Sequence, residues 1–111
     1  MSRVVAMQPS LKAGDEVDIY NKSGQFVGQI RLEALEQGMW SGQFSSGPAF
    51  SAVRGLFCEL VDLANQQLFR HADEVDKKIA EFGLHAKMGS QDIDTCDIQL
   101  FDDRGYFKPA P

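Results

Sequence analysis

Residues 48–82, PAFSAVRGLFCELVDLANQQLFRHADEVDKKIAEF, decide how the rest of the chain is read. Phe50, Val53, Phe57, Leu60, Ala64, Leu68, Ala72, Val75, Ile79 and Phe82 recur every three or four positions, the spacing that brings side chains onto one stripe of an α-helix. One helix over the whole stretch would be about three times the usual length, and Asn65-Gln66-Gln67 interrupts the best helix-forming composition. The spacing therefore predicts two helices with a bend between 64 and 72. Ser46 or Gly47 is placed to cap the first and Pro48 to occupy its first turn, while Gly83 falls where a left-handed cap ends the second. Leu56 and Leu63 lie off the stripe, so the first helix is expected at the centre of the molecule, buried on two sides. The second carries a narrower stripe, with Asp73–Lys77 and Glu74–Lys78 placed as i,i+4 ion pairs on its outer face.

On both sides of this stretch the apolar period drops from 3.6 to 2. Val17-Asp18-Ile19-Tyr20, a turn at Asn21-Lys22-Ser23-Gly24, and Gln25 to Leu32 read as a hairpin. In its second strand Phe26, Gly28, Ile30 and Leu32 share one face, and Gln29, Arg31 and Glu33 the other. After a turn at Glu36-Gln37-Gly38, residues 39–44 alternate again with Trp40 and Phe44 inward. Beyond the helices, 84–88, 98–101 and 106–108 alternate too, separated by turns at Gly89-Ser90-Gln91 and Asp102-Asp103-Arg104-Gly105. The expected fold is α+β: a mainly antiparallel sheet of about six strands in the order β-β-β-α-α-β-β-β, with both helices on one face. Residues 15–111 form its single domain, and residues 1–14 form a tail that either docks on it or stays free.

Composition narrows the class of function. A charge of −5 leaves little to neutralise phosphates, which argues against nucleic acid as a partner. No apolar run approaches the length of a membrane span, and the first seven residues are too short and broken for a signal peptide, so the expected setting is the cytoplasm. Cys58 and Cys96 stand far apart without a CxxC pair, which in a reducing compartment reads as two separate thiols. No metal and no cofactor is expected: His71 and His85 lack neighbours at ligand spacing, and the glycines form neither a GxGxxG nor a P-loop pattern. The densest charge lies in residues 92–103, with Asp92, Asp94, Asp97, Asp102 and Asp103 and no Lys or Arg. A calcium loop there is spoiled by Cys96 at the fifth position and by Asp97 where the sixth must be glycine.

Two classes of function remain. The leading one is a non-enzymatic protein-interaction module, a homodimer or a binder of another protein, acting through a sheet face or the acidic edge. Its residues are Val27, Phe101 and either Tyr106 or Phe107, which fall out of phase with the inward positions, together with Asp97, Asp102 and Asp103. The alternative is a pocket between sheet and helices for a small ligand or acid-base chemistry, lined by Trp40, Tyr20, His71 and Asp62.

Overall fold

In a computed structural model the described residues are 10–110, Cys96 without its side chain. They form β1 (Glu16–Tyr20), β2 (Phe26–Glu36), β3 (Met39–Ser46), α1 (Ser51–Asn65), α2 (Phe69–Ala80), β4 (His85–Met88), β5 (Gln91–Ile93), β6 (Thr95–Leu100) and β7 (Arg104–Pro109). The class is the expected α+β. The sheet has seven strands rather than about six, because Gln91 does not end a turn but opens β5.

All strand pairs are antiparallel, and the sheet order is β5-β4-β1-β2-β3-β7-β6. The meander β1-β2-β3 sits in the middle, β4 adds to one side of it and β7 to the other. β5 and β6 then lie at opposite ends of the order although only Asp94 separates them in sequence. Laid flat, ends six strand spacings apart would be separated by roughly 29 Å, while a one-residue link spans only about 7 Å. The sheet therefore curls until its ends meet, and β4 comes close to β6. Residues 91–100 act as one interrupted strand that pairs with β4 through its first part and with β7 through its second. At the junction the Ala110 N–H donates to the Asp94 carbonyl at 2.9 Å.

The curl needs short side chains at the bends. A Cβ on Gly42 would stand 1.9 Å from the Arg31 carbonyl oxygen, and one on Gly105, its partner across β3 and β7, would stand 2.6 Å from Ile30 Cγ1. Strand glycines at close backbone approach are the usual device for a tight corner. Two irregularities in β2 add to the bend, one opposite the Ile19/Tyr20 step and one between Leu32 and Ala34.

The first of these corrects a sequence expectation. Ile19 pairs with Gly28 and Tyr20 with Phe26, so Val27 is the extra residue of a bulge. Two successive residues then turn to the same side, and the alternation slips by one. Val27 is 1% exposed inside the core, whereas Phe26 is 36% exposed.

The helices pack their apolar stripes onto the core through Phe50, Val53, Phe57, Ala72, Val75 and Ile79, with Leu60 and Leu63 half-buried. α1 is buried on one side only, not two: Arg54, Cys58, Glu59, Val61 and Asp62 are exposed along its outer face. The break between α1 and α2 falls at residues 66–68, where Gln67 takes a left-handed φ of 60°. This elbow resets the helical phase, which is why Ala64 and Leu68, in step with the stripe by sequence, end up exposed. Gly83 caps the helical segment with φ 61° as its position predicts, a backbone region costly for other residues. At the start, neither Ser46 nor Gly47 caps α1; Pro48 and Ala49 sit in a preceding turn, and Phe50 precedes Ser51 with no side-chain cap bond. The i,i+4 pairs expected on α2 do not close; the contact there is His71 Nδ1 to Glu74 Oε2 at 4.0 Å.

Of the N-terminal tail, residues 1–9 lie outside the described residues. Leu11 packs against the core, and the Gly14 N–H donates to the Leu32 carbonyl at 2.8 Å, so 11–14 run beside β2. Gly55, on the exposed face of α1, has no atom within 4 Å of a would-be Cβ. Gly55→Ala should therefore raise stability by about 0.8 kcal/mol through helix propensity, measured as a higher urea midpoint. An unchanged midpoint would count against a regular helix there.

Candidate interaction surface

Phe101 and Tyr106 flank the turn that joins β6 to β7, and both side chains are partly exposed. Their rings meet edge-on, with centroids 5.8 Å apart and planes at 75°, the favoured geometry for an aromatic pair. α1 brings Cys58, Val61 and Asp62 to the other side of the same shallow recess, and Arg104 completes it. Its floor is apolar, with Asp62 and Arg104 supplying one charge of each sign.

Two ion pairs hold this surface in place. Arg54 of α1 grips Asp102 with two bonds, Nε to Oδ1 at 2.6 Å and Nη2 to Oδ2 at 2.8 Å, the fork geometry that suits guanidinium and carboxylate. The Arg54 hydrogen bond holds the Asp102 carboxyl below its ordinary range, and the same contact raises the Arg54 guanidinium. Arg104 Nη1 donates to Glu33 Oε1 of β2 at 2.6 Å. The guanidinium also contacts Tyr106, and both partners raise its pKa, Glu33 the more strongly. All four ion-pair side chains are well exposed, so each bridge contributes little to stability; their effect is to fix where the hairpin tip points.

The residues named from sequence as partner-binding thus divide. Phe101 and Tyr106 come together on the surface, whereas Val27 and Phe107 are core: Phe107 is 0% exposed, between Trp40 and Ile98 in the ladders of β3 and β6. Of the aspartates, Asp102 is engaged with Arg54, and Asp97 is exposed and accepts a bond from Gln99 Nε2 at 3.0 Å. Asp103 is exposed, with its carbonyl accepting from the Phe44 N–H at 3.1 Å.

The four residues named for a small-molecule pocket are not gathered. Tyr20 pairs beside Phe26 and Trp40 beside Leu35, at opposite ends of β2. At about 3.3 Å per residue these positions are roughly 30 Å apart, too far to line one pocket. Tyr20 instead stacks with His85 at 5.9 Å, Trp40 is buried, His71 stands exposed on α2, and Asp62 belongs to the recess of Phe101 and Tyr106. Among the described residues no group of three or more His, Cys, Asp or Glu could hold a metal ion, and no helix is long and apolar enough to cross a membrane.

Sequence reasoning missed Cys58, Val61 and Arg104 as parts of this surface. A signal for Cys58 was present, since in a helix with one buried side the residues opposite the Val53–Phe57 stripe face outward; Val61, one turn after Phe57, gave none, because by spacing it flanks the buried stripe. Leu68 and Phe69 at the elbow, 42% and 62% exposed, were missed as well because the stripe was read through the break. Compared with protein-family models, with curated proteins and with solved structures, this chain matches none of them.

Proposed function

We propose that the chain is a cytoplasmic, non-enzymatic interaction module that self-associates through the recess of Phe101, Tyr106 and Val61. The observation that carries this reading is a partly exposed aromatic pair beside an exposed aliphatic side chain, fixed in position by the Arg54–Asp102 and Arg104–Glu33 bridges. Partly exposed aromatics on a preorganised surface gain most from being covered, because they desolvate with little loss of side-chain entropy. A second copy is the simplest cover. A two-fold contact needs one patch complementary to itself, and this patch has an apolar centre with Asp62 and Arg104, one charge of each sign, at its margin.

Light scattering after size exclusion should give about twice 12.3 kDa. Phe101→Asp should return the mass to that of one chain and leave the circular dichroism spectrum intact. Cys58, which lines the recess, supplies a second readout: its alkylation, mapped by mass spectrometry, should slow at concentrations where the dimer forms. A single-chain mass at high concentration with Cys58 fully reactive throughout would refute self-association.

A further inference from the structure

Of the large apolar side chains among the described residues, Phe69 is the most exposed, at 62%, and Leu68 beside it is 42% exposed. Both sit at the elbow between α1 and α2. Backbone bonds hold this elbow: the Gln67 N–H donates to the Ala64 carbonyl at 3.0 Å and the Leu68 N–H to the Leu63 carbonyl at 2.9 Å. With Gln67 at φ 60°, these are the two bonds of a Schellman closure, built here on glutamine where glycine is usual. The Ala72 N–H then donates to the Leu68 carbonyl at 3.0 Å, so α2 starts at once. Phe69 is therefore an apolar knob carried on fixed backbone.

The recess of Phe101, Tyr106, Val61 and Cys58 has the opposite shape, a hollow of about 460 Å³. Two such hollows set face to face would leave a gap, and a gap forfeits the dispersion contacts that close packing provides. A second copy covers the recess well only by bringing something convex to it. The elbow is near enough to be that part: Cys58, the first recess residue of α1, lies about 10 Å of helix before the end at Asn65, and the elbow follows directly. When two copies pair with their α1 helices antiparallel and a two-fold axis beside that end, each elbow comes level with the other copy's recess. Charge fits the same arrangement. Arg70, next to the knob, and Asp62, at the rim of the recess, are both exposed and belong to no ion pair among the described residues, while Arg104 at the rim is already engaged by Glu33.

We infer that Phe69 of each copy seats in the other copy's recess, with Arg70 of one copy against Asp62 of the other, so that two equal knob-and-recess contacts close the pair. The inference rests on the self-association proposed above and names the part of the second copy that does the covering. Reciprocity of this kind is what a two-fold interface requires, and it stops assembly at two chains because each knob and each recess is used within the pair.

Sedimentation equilibrium of the full chain over a range of concentrations gives the dissociation constant. Phe69→Ala should raise it at least tenfold with the melting temperature nearly unchanged, since a buried aromatic anchor carries much of an interface's affinity. Phe26→Ala, which removes a partly exposed ring beside Tyr20 and away from the recess, should change it less than twofold. Arg70→Glu and Asp62→Arg should each weaken pairing, and the two together should recover part of the loss. Phe69→Cys, combined with Cys96→Ser and oxidised with diamide, should form a disulfide from position 69 of one copy to Cys58 of the other, with mixed isotope-labelled and unlabelled chains showing that the link runs between copies. If the wild-type chain pairs but Phe69→Ala pairs as tightly, if the charge exchange recovers nothing, or if no link forms between copies, this inference fails while self-association stands. Masses that keep growing past two chains would overturn the closed contact. A single-chain mass throughout would overturn self-association itself, and this contact with it.

Discussion

Gly42→Ala should lower the melting temperature by about 12 °C or more, although it adds one methyl group. The new Cβ would meet the Arg31 carbonyl oxygen at 1.9 Å, its carbon at 2.7 Å and the Leu32 Cα at 3.1 Å. All three are backbone atoms in the β2–β3 ladder beside a bulge, so no rotamer change relieves the clash. The strands must separate or the bend must open, and overpacking of this kind costs about 3 kcal/mol where the neighbours cannot move. For a domain of this size each kcal/mol corresponds to roughly 4–8 °C. A thermal melt followed by far-ultraviolet circular dichroism reads the effect directly. A shift under about 3 °C would mean that β2 and β3 do not cross as closely as described.

Phe107→Ala should cost about 3–5 kcal/mol, the range for removing a buried aromatic ring, whereas Tyr106→Ala should cost about 1 kcal/mol or less. The two residues are adjacent in β7 and point to opposite faces: Phe107 is fully buried and Tyr106 lies on the surface against Phe101. Urea midpoints of the two variants separate the cases. The reverse order would place β7 out of register by one residue, since a slip of one exchanges the two faces of a strand.

Residues 106 and 107 also mark where sequence reading stops. Their parity shows that one faces in and one out, but choosing between them needs the partner strand. Phe107 is opposite Trp40, whose inward position was legible from the alternation of residues 39–44. The α+β class, the two helices, the elbow near Gln67 and the turn at Gly83 were legible too, because each rests on local period or on a residue with a particular backbone preference. Val27 was misread because a bulge in β2 leaves no mark in the sequence of β2: the extra residue exists only relative to Ile19 and Tyr20 on β1. The recess was half legible. Phe101 and Tyr106 stood out as surplus aromatics, and the outward face of α1 was legible at Cys58, but that this face meets the last hairpin, bringing Cys58 and Val61 beside Phe101, Arg104 and Tyr106, is recorded by no local pattern. The placing of β5 and β6 at opposite ends of the strand order was not legible, because it follows from pairings between strands distant in sequence and from Asp94 joining the two ends of the sheet.

That strand order has a consequence for how the chain is made. Synthesis proceeds from the N-terminus, so β1, β2 and β3 emerge first and can pair as a meander while the rest is still inside the ribosome. Both flanks of that meander, β1 on one side and β3 on the other, wait for strands from late in the chain, β1 for β4 at His85–Met88 and β3 for β7 at Arg104–Pro109. For that interval the nascent chain carries two unpaired strand edges with Val17, Ile19, Trp40 and Phe44 uncovered, the kind of surface that recruits other strands. Completion then comes in two steps, β4 covering β1 first and β7 covering β3 last, with residues 91–100 between them closing the circle.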